Sequence, residues 1–172
     1  QLGRRPLRRR TAGNRKLMPD PALILAEGTA VHATAVVIGE QAFLFTGPSG
    51  AGKTTTALRC LSSAKLAGLN AALIADDGVI LDCTGGRAVA RCPASIAGLA
   101  EIRGSGIYGF PWRAAAVLTA VVAPAEPAGE TRLPAEGEIC RVGALELRLL
   151  RIDYRSPLDP RSVLEAAHRP AP

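Results

Sequence analysis

The chain has 172 residues, 48% of them apolar and only 3% aromatic, which suits one domain with a full core of the small aliphatic kind found in α/β packing. No apolar run is long enough for a bilayer-spanning helix, so a soluble protein is expected. The formal charge of +6 is uneven: residues 1–17 hold seven Lys or Arg and no acid, while residues 18–172 hold fourteen basic and fifteen acidic side chains. Only that leader argues for a nucleic-acid or membrane partner, and none is expected of the body.

The leader has no apolar h-region and does not read as a secretory signal. Met18 is the only methionine, which points to a natural start there, with a disordered basic segment over 1–17 and one domain over 18–172. Strand-like runs follow at Ala22–Ala26, Ala33–Ile38 and Ala42–Phe45, with a Gly39-Glu40 turn between the last two. A helix is expected from Lys53 to about Ala67, stopped by Gly68 and Asn70. Ala71–Ala75 reads as a short buried strand. Val79–Leu81 and Ala88–Ala90 flank Thr84-Gly85-Gly86 as a hairpin. Pro93 to Pro111 is rich in Gly and Pro and shows no clear period; Phe110 and Trp112 beside it fit a core or an interface. Val117–Val122 and Leu145–Ile152 are further strands, separated by a polar, Pro-rich loop over Pro124–Gly137. Asp159-Pro160 caps and starts a last helix. Helix confined to two places predicts a mixed α/β fold: a mixed sheet with hairpins and one helix packed on it.

The strand over Ala42–Phe45 leads into Gly47-Pro48-Ser49-Gly50-Ala51-Gly52-Lys53-Thr54, which satisfies the phosphate-binding loop pattern G-x-x-x-x-G-K-[ST] between a strand and a helix. Glycines let backbone N–H groups turn inward around phosphate oxygens, at the positive end of the new helix. Lys53 is expected on the β- and γ-phosphates and the Thr54 hydroxyl on Mg²⁺; Thr55 continues the loop's ligand wall. Phosphate groups and Mg²⁺ are the ligands this motif calls for.

Asp76 and Asp77 close the strand over Ala71–Ala75, where an NTPase needs a metal partner or a base. Neighbouring acids in an extended segment point opposite ways, so different roles are expected: one on the metal or a water, the other on the proton of an incoming hydroxyl. Asp77-Gly78 is also a turn signal, but the loop upstream favours chemistry. In Glu101-Ile102-Arg103-Gly104-Ser105-Gly106-Ile107, Glu101 suits the Mg²⁺ shell and Arg103 suits phosphate charge; a solvated Gly-rich turn explains the residues equally well. His32, beside a strand, reads as structural on its own, and His168 as solvated. Cys60, Cys83, Cys92 and Cys140 form no C-x-x-C and have no His at metal spacing, which points to buried thiols in a reducing cytoplasm rather than zinc.

Val31-His32-Ala33, the loop Gly47–Thr54, Ala75-Asp76-Asp77 and Glu101–Ile107, in this order, resemble the catalytic domain of bacterial HPr kinase/phosphorylase. The E-I-R-G-x-G-I motif is specific to that family, and the likeness covers about residues 22–135. The resemblance implies a phosphoenolpyruvate carboxykinase-like fold in a short form without the family's amino-terminal domain. It further implies cytoplasmic, ATP- and Mg²⁺-dependent phosphorylation of a serine on HPr, the small phosphocarrier of the phosphotransferase system, by an oligomer, hexameric in the family. Carried over, Lys53 holds phosphates; Thr54, Glu101 and Asp76 hold Mg²⁺; Asp77 is the base with Asp76 beside it. His32 becomes an active-site residue, and Arg132 matches a catalytic arginine.

Several positions depart from the family pattern. Pro48 stands where the long form has Asp, Thr55 where an acid is usual, and Thr54 replaces the commoner Ser. The P-V-x-P-G-R loop tied to phosphorolysis is missing, and Leu149-Leu150-Arg151-Ile152-Asp153 stands near its place, so kinase activity with weak or absent phosphorylase activity is expected. The rival readings are a same-fold kinase for another substrate and a nucleotide-binding regulatory module without catalysis.

Overall fold

The computed structural model describes residues 21–125 and 137–168. In chain order these form β1 (Leu23–Leu25), β2 (Ala30–Val31), β3 (Thr34–Ile38), β4 (Gln41–Phe45), α1 (Lys53–Leu66), β5 (Ala71–Ala75), β6 (Val79–Thr84) and β7 (Arg87–Arg91). There follow β8 (Leu99–Ile102), β9 (Gly106–Gly109), β10 (Ala115–Pro124), β11 (Ile139–Val142), β12 (Leu145–Ile152) and α2 (Pro160–His168). The basic leader and Arg132 lie outside the described residues. No helix among those described is long and apolar enough to cross a membrane.

The main sheet runs β1-β11-β12-β10-β4-β3-β5. β10 lies parallel to both β4 and β12, whereas β3 pairs antiparallel with β4 and β5. This is the mixed sheet expected. The central strands are apolar without a break because both faces are covered. Val37, Leu44, Ile74 and Val121 face a layer that includes Val79, Leu81, Ala88 and Ala90 of the β6–β7 hairpin. Val36, Phe43, Phe45, Leu73 and Val122 face α1 through Ala57, Cys60 and Ala64, and α2 through Leu164. At about 25 cal/mol per Å² of apolar surface buried, this two-sided packing dominates the fold's stability.

β10 serves two sheets. Ala115–Val117 pairs antiparallel with β7, and Ala120–Pro124 runs between β4 and β12. The register slips between Leu118 and Ala120, and the Thr119 hydroxyl accepts the Ala42 N–H there at 3.1 Å, filling the bulge.

α1 ends as anticipated. Gly68 takes φ +73°, its N–H reaches Lys65 O and the Leu69 N–H reaches Ala64 O, a paired closure that needs the left-handed glycine. α2 begins on Asp159, whose carboxylate accepts the Arg161 N–H at 3.1 Å.

Two regions differ from the sequence reading. The stretch after Pro93 contains a hairpin, β8–β9, closed by Arg103-Gly104-Ser105. Its glycines hide the period-two pattern. The segment before Leu145 includes β11, which pairs with β1 and β12. Of the four free thiols, Cys60 and Cys140 are buried, but Cys83 and Cys92 are only half-buried at the ends of β6 and β7. Phe110 packs on the α1 side of the core, while Trp112 is 47% exposed and lays its indole against Gly98.

Candidate active site

The sheet topology brings one set of strand ends together. Pairing of Thr34 with Phe45, Ala35 with Ala75 and Val122 with Phe45 puts the start of β3 and the carboxyl ends of β4, β5 and β10 at the same edge. Ligands of open α/β sheets bind at such an edge.

The loop between β4 and α1 is anchored at its entry. The N–H and hydroxyl of Thr46 donate to Val122 O at 2.8 and 3.0 Å. The buried Tyr154 hydroxyl lies 3.0 Å from both Thr46 O and Val122 O, and the Tyr154 Cβ packs against Gly52. Burial pushes the Tyr154 hydroxyl's pKa upward, so it stays a donor. A side chain at Gly47 (φ +128°) would put its Cβ 3.0 Å from the Pro124 ring. Gly52, at φ +103°, is the cap of α1; no side chain caps this end and no acid sits in the first turn. The helix therefore leaves its positive end to a ligand.

Lys53 Nζ donates to the carbonyls of Gly47 and Pro48, both at 3.0 Å, which curls the loop around the ammonium. Its pKa is lowered: burial is the main cause, Asp77 and Asp76 pull it back up, and Arg103 pushes it further down.

The two aspartates stand in different surroundings. Asp76 is 5% exposed. Its Oδ1 accepts the Thr34 and Thr54 hydroxyls, each at 2.7 Å, and its Oδ2 accepts the Glu101 N–H at 3.1 Å. Asp77 is two-thirds exposed, and its Oδ1 lies 2.7 Å from His32 Nδ1. The reason differs from strand alternation: β5 ends at Ala75, and Asp77 turns into the left-handed region at φ +60°.

The β8–β9 hairpin supplies the far wall. It is seated by Phe110 N–H on Gly98 O and by Leu73, which exchanges backbone hydrogen bonds with Pro111 and Arg113. This brings Arg103 Nη1 to 3.3 Å from where a Gly50 Cβ would stand. A cleft of about 250 Å³ results, lined by His32, Ser49, Gly50, Gly52, Lys53, Thr54, Thr55, Asp76, Asp77, Glu101 and Arg103. Gly47, Pro48 and Ala51 shape the loop behind it. Glu101 and Arg103 are both exposed, and both line this cleft.

Two residues escaped the sequence reading. Thr34, fully buried, shares its hydroxyl with Asp76, yet in sequence it is one more β-branched strand residue. Tyr154 follows β12 as a lone aromatic with no motif around it.

The donor set fits a small hard cation. Thr54 Oγ1 and Asp76 Oδ1 are hard oxygen donors 2.7 Å apart, and the Glu101 carboxylate lines the same cleft. Among the described residues no group of three or more His, Cys, Asp or Glu is placed to hold a metal by itself. Mg²⁺ is a cation that takes one or two protein oxygens and completes its shell with phosphate oxygens and water.

The family model of the HPr serine kinase C-terminal domain matches residues 23–111, from β1 through the β8–β9 hairpin. No curated protein sequence matches the chain. Among solved structures, the Hpr(Ser) kinase/phosphatase from Coxiella burnetii superposes with a TM-score of 0.64 at 16% identity, over 80% of this chain and 86% of that one. That likeness establishes a shared fold. On the strength of the matched residues, which hold the phosphate-type loop, the aspartate pair and Glu101, the chain belongs to the HPr serine kinase C-terminal domain family.

Proposed function

We propose that this chain is an ATP- and Mg²⁺-dependent protein serine kinase acting on HPr, with weak or absent phosphorylase activity. One observation carries the reading: the loop lysine, the Thr54–Asp76 contact and the Asp77–His32 pair line one cleft. A pure nucleotide binder has no use for a second, solvent-facing carboxylate held by a histidine.

In the proposed reaction a serine hydroxyl oxygen of HPr forms a bond to the γ-phosphorus as the bond from that phosphorus to the β,γ-bridging oxygen breaks. The serine proton passes to Asp77, and ADP leaves with the bridging oxygen. His32 fixes one Asp77 oxygen and leaves the other to the incoming hydroxyl. Lys53 and the α1 N-terminus balance phosphate charge, and Arg103 adds a cation across the loop. Mg²⁺, held by Thr54, Asp76 and Glu101, supplies electrostatic neutralisation of the phosphates. Arg132 is carried as a further catalytic residue by the resemblance alone.

Weak phosphorolysis is supported by the missing P-V-x-P-G-R motif and by β12, in which Leu149–Ile152, near that motif's place, pairs in register with Val121–Pro124. Cytoplasmic residence and a homo-oligomeric assembly complete the reading. The test is γ-labelled ATP with purified HPr, with and without Mg²⁺, followed by mapping of the modified residue. Mg²⁺-dependent label on a serine of HPr is expected. Label on another protein but not on HPr would remove the substrate, and ATP binding without any transfer would remove the kinase.

A further inference from the structure

Thr34 is fully buried and does not line the cleft, yet it carries a hydroxyl into the core beside it. Packing gives no reason for that oxygen. Every residue of β3 is buried, and Val would fill the same β-branched shape with no polar atom to satisfy. The strand pairing shows where the oxygen is aimed. β3 lies between β4 and β5, and Thr34 pairs with Phe45, the last residue of β4. On the other side the register slips by one residue: Val36 faces Leu73 but Ala35 faces Ala75, so Ile74 has no partner. Continued one step past Ala35 and Ala75, the slipped register sets Thr34 across from Asp76. The unslipped register would set Ala33 there. A slip of this kind beside a site re-aims a side chain.

We infer that Thr34 is a positioning residue for the metal: its hydroxyl fixes the direction in which the Asp76 carboxylate presents its oxygens to Mg²⁺. The inference rests on the metal placement proposed above. The Thr34 hydroxyl donates to Asp76 Oδ1 at 2.7 Å. Thr54 donates to the same oxygen at 2.7 Å, and the two hydroxyl oxygens stand 3.5 Å apart. Asp76 Oδ2 accepts the Glu101 N–H at 3.1 Å. Two of these three donors belong to residues assigned to the metal themselves. Thr34 belongs only to the core, and its backbone is held by paired strands on both sides. It therefore ties the carboxylate to the sheet rather than to the phosphate loop. Mg²⁺ demands near-ideal octahedral geometry, so the direction of a ligand oxygen matters as well as its charge. Hydrogen bonds that orient a metal ligand in this way are typically worth about 10–100-fold in metal affinity.

Isothermal titration of the full chain with inorganic tripolyphosphate, in EDTA and across a range of Mg²⁺ concentrations, separates the carboxylate from the phosphate loop. In the unsubstituted protein Mg²⁺ should strengthen tripolyphosphate binding. Thr34→Val keeps the packing and removes the hydroxyl. Its metal-free binding should be unchanged, while the Mg²⁺ concentration that gives half of the enhancement should rise about 10–100-fold. Thr34→Ser does the reverse, losing a buried methyl and keeping the donor. Its melting temperature should fall, and its Mg²⁺ requirement should match the parent's. If Thr34→Val does not fold, Thr34→Ala takes its place, because it differs from Thr34→Ser by the hydroxyl alone. An equal Mg²⁺ requirement in the parent and the hydroxyl-free variant overturns the inference and leaves the metal site standing. The inference also falls if metal-free binding weakens as much as binding with Mg²⁺, or if Thr34→Ser shifts as far as the hydroxyl-free variant. Tripolyphosphate binding that ignores Mg²⁺ in the unsubstituted chain defeats the metal site of the proposed reaction, and the role of Thr34 with it.

Discussion

The Thr54 hydroxyl donates to Asp76 at 2.7 Å, joining the first turn of α1 to the end of β5. The same carboxylate oxygen accepts Thr34, and the other accepts the backbone of β8. One buried acid thus ties three elements to the phosphate loop. An asparagine there has only one acceptor oxygen, and its NH₂ would face a donor. Asp76→Asn should lose about 1–3 kcal/mol of stability, read by urea unfolding. Mg²⁺ should strengthen ATP binding in the unsubstituted chain and not in the variant. Equal enhancement in both would take Asp76 off the metal.

Asp77 predicts a different outcome. Its side chain is mostly exposed, and asparagine tolerates the left-handed backbone it occupies. Asp77→Asn should stay within about 0.5 kcal/mol of the parent in stability. Phosphate transfer should nevertheless fall by ~10²–10⁴-fold if this carboxylate is the general base. Transfer at the parent rate would show that the proton goes elsewhere.

Tyr154 reaches the phosphate loop from the far end of the chain. Tyr154→Phe keeps the ring beside Phe45 and the Cβ beside Gly52 but removes the hydroxyl from Thr46 O and Val122 O. Val122 O retains the Thr46 donors, so the loss should be that of a single hydrogen bond, about 1 kcal/mol. A lowered melting temperature together with weaker tripolyphosphate binding is expected. An unmoved melting temperature would mean the hydroxyl does not anchor the loop.

The four thiols should separate by reactivity. Burial, helped by Asp159, pushes Cys60 up to about 12, and burial pushes Cys140 up to about 11. Thiolate is the reactive form, so at pH 8 iodoacetamide should label half-buried Cys83 and Cys92 before these two. Because the fold favours the protonated thiols, their contribution to stability is complete below the ordinary thiol range and fades as pH rises towards 11–12. Mass spectrometry of native protein after timed alkylation checks this; early modification of Cys60 would contradict it.

Asp159 caps α2 and links it to α1 through Ser63. Burial raises its pKa, but hydrogen bonds from Ser63, the Arg161 N–H and Ser162, with the Arg161 charge, outweigh that and hold it below the usual carboxylate range. Its stabilisation is therefore present above that range and is lost as pH falls through the lowered value. Asp159→Ala should cost about 1 kcal/mol near neutrality. The gap to the parent should shrink in strong acid, as followed by urea unfolding at two pH values. A gap that persists in strong acid would point to lost packing rather than lost charge.

The legible parts of the fold were those with local signatures. α1 could be read from its glycine stop and its loop, and β3, β4 and β5 from short unbroken apolar runs. The β8–β9 hairpin was hidden because Gly104, Gly106 and Gly109 interrupt its side-chain alternation. β11 was hidden because its pairing partners β1 and β12, rather than its own four residues, make it a strand.

For the candidate site, sequence by itself made the loop with Lys53 and Thr54 and the aspartate pair legible, since these depend on residue type and spacing along one chain, whereas the Glu101–Arg103 segment stood out only through the family resemblance. Tertiary structure decided which aspartate is buried on Thr34 and Thr54 and which stands in solvent beside His32, and it recruited Tyr154. The physical reason is that local sequence sets backbone conformation, whereas the partners of a carboxylate follow from which distant strands pair and at which end they stop.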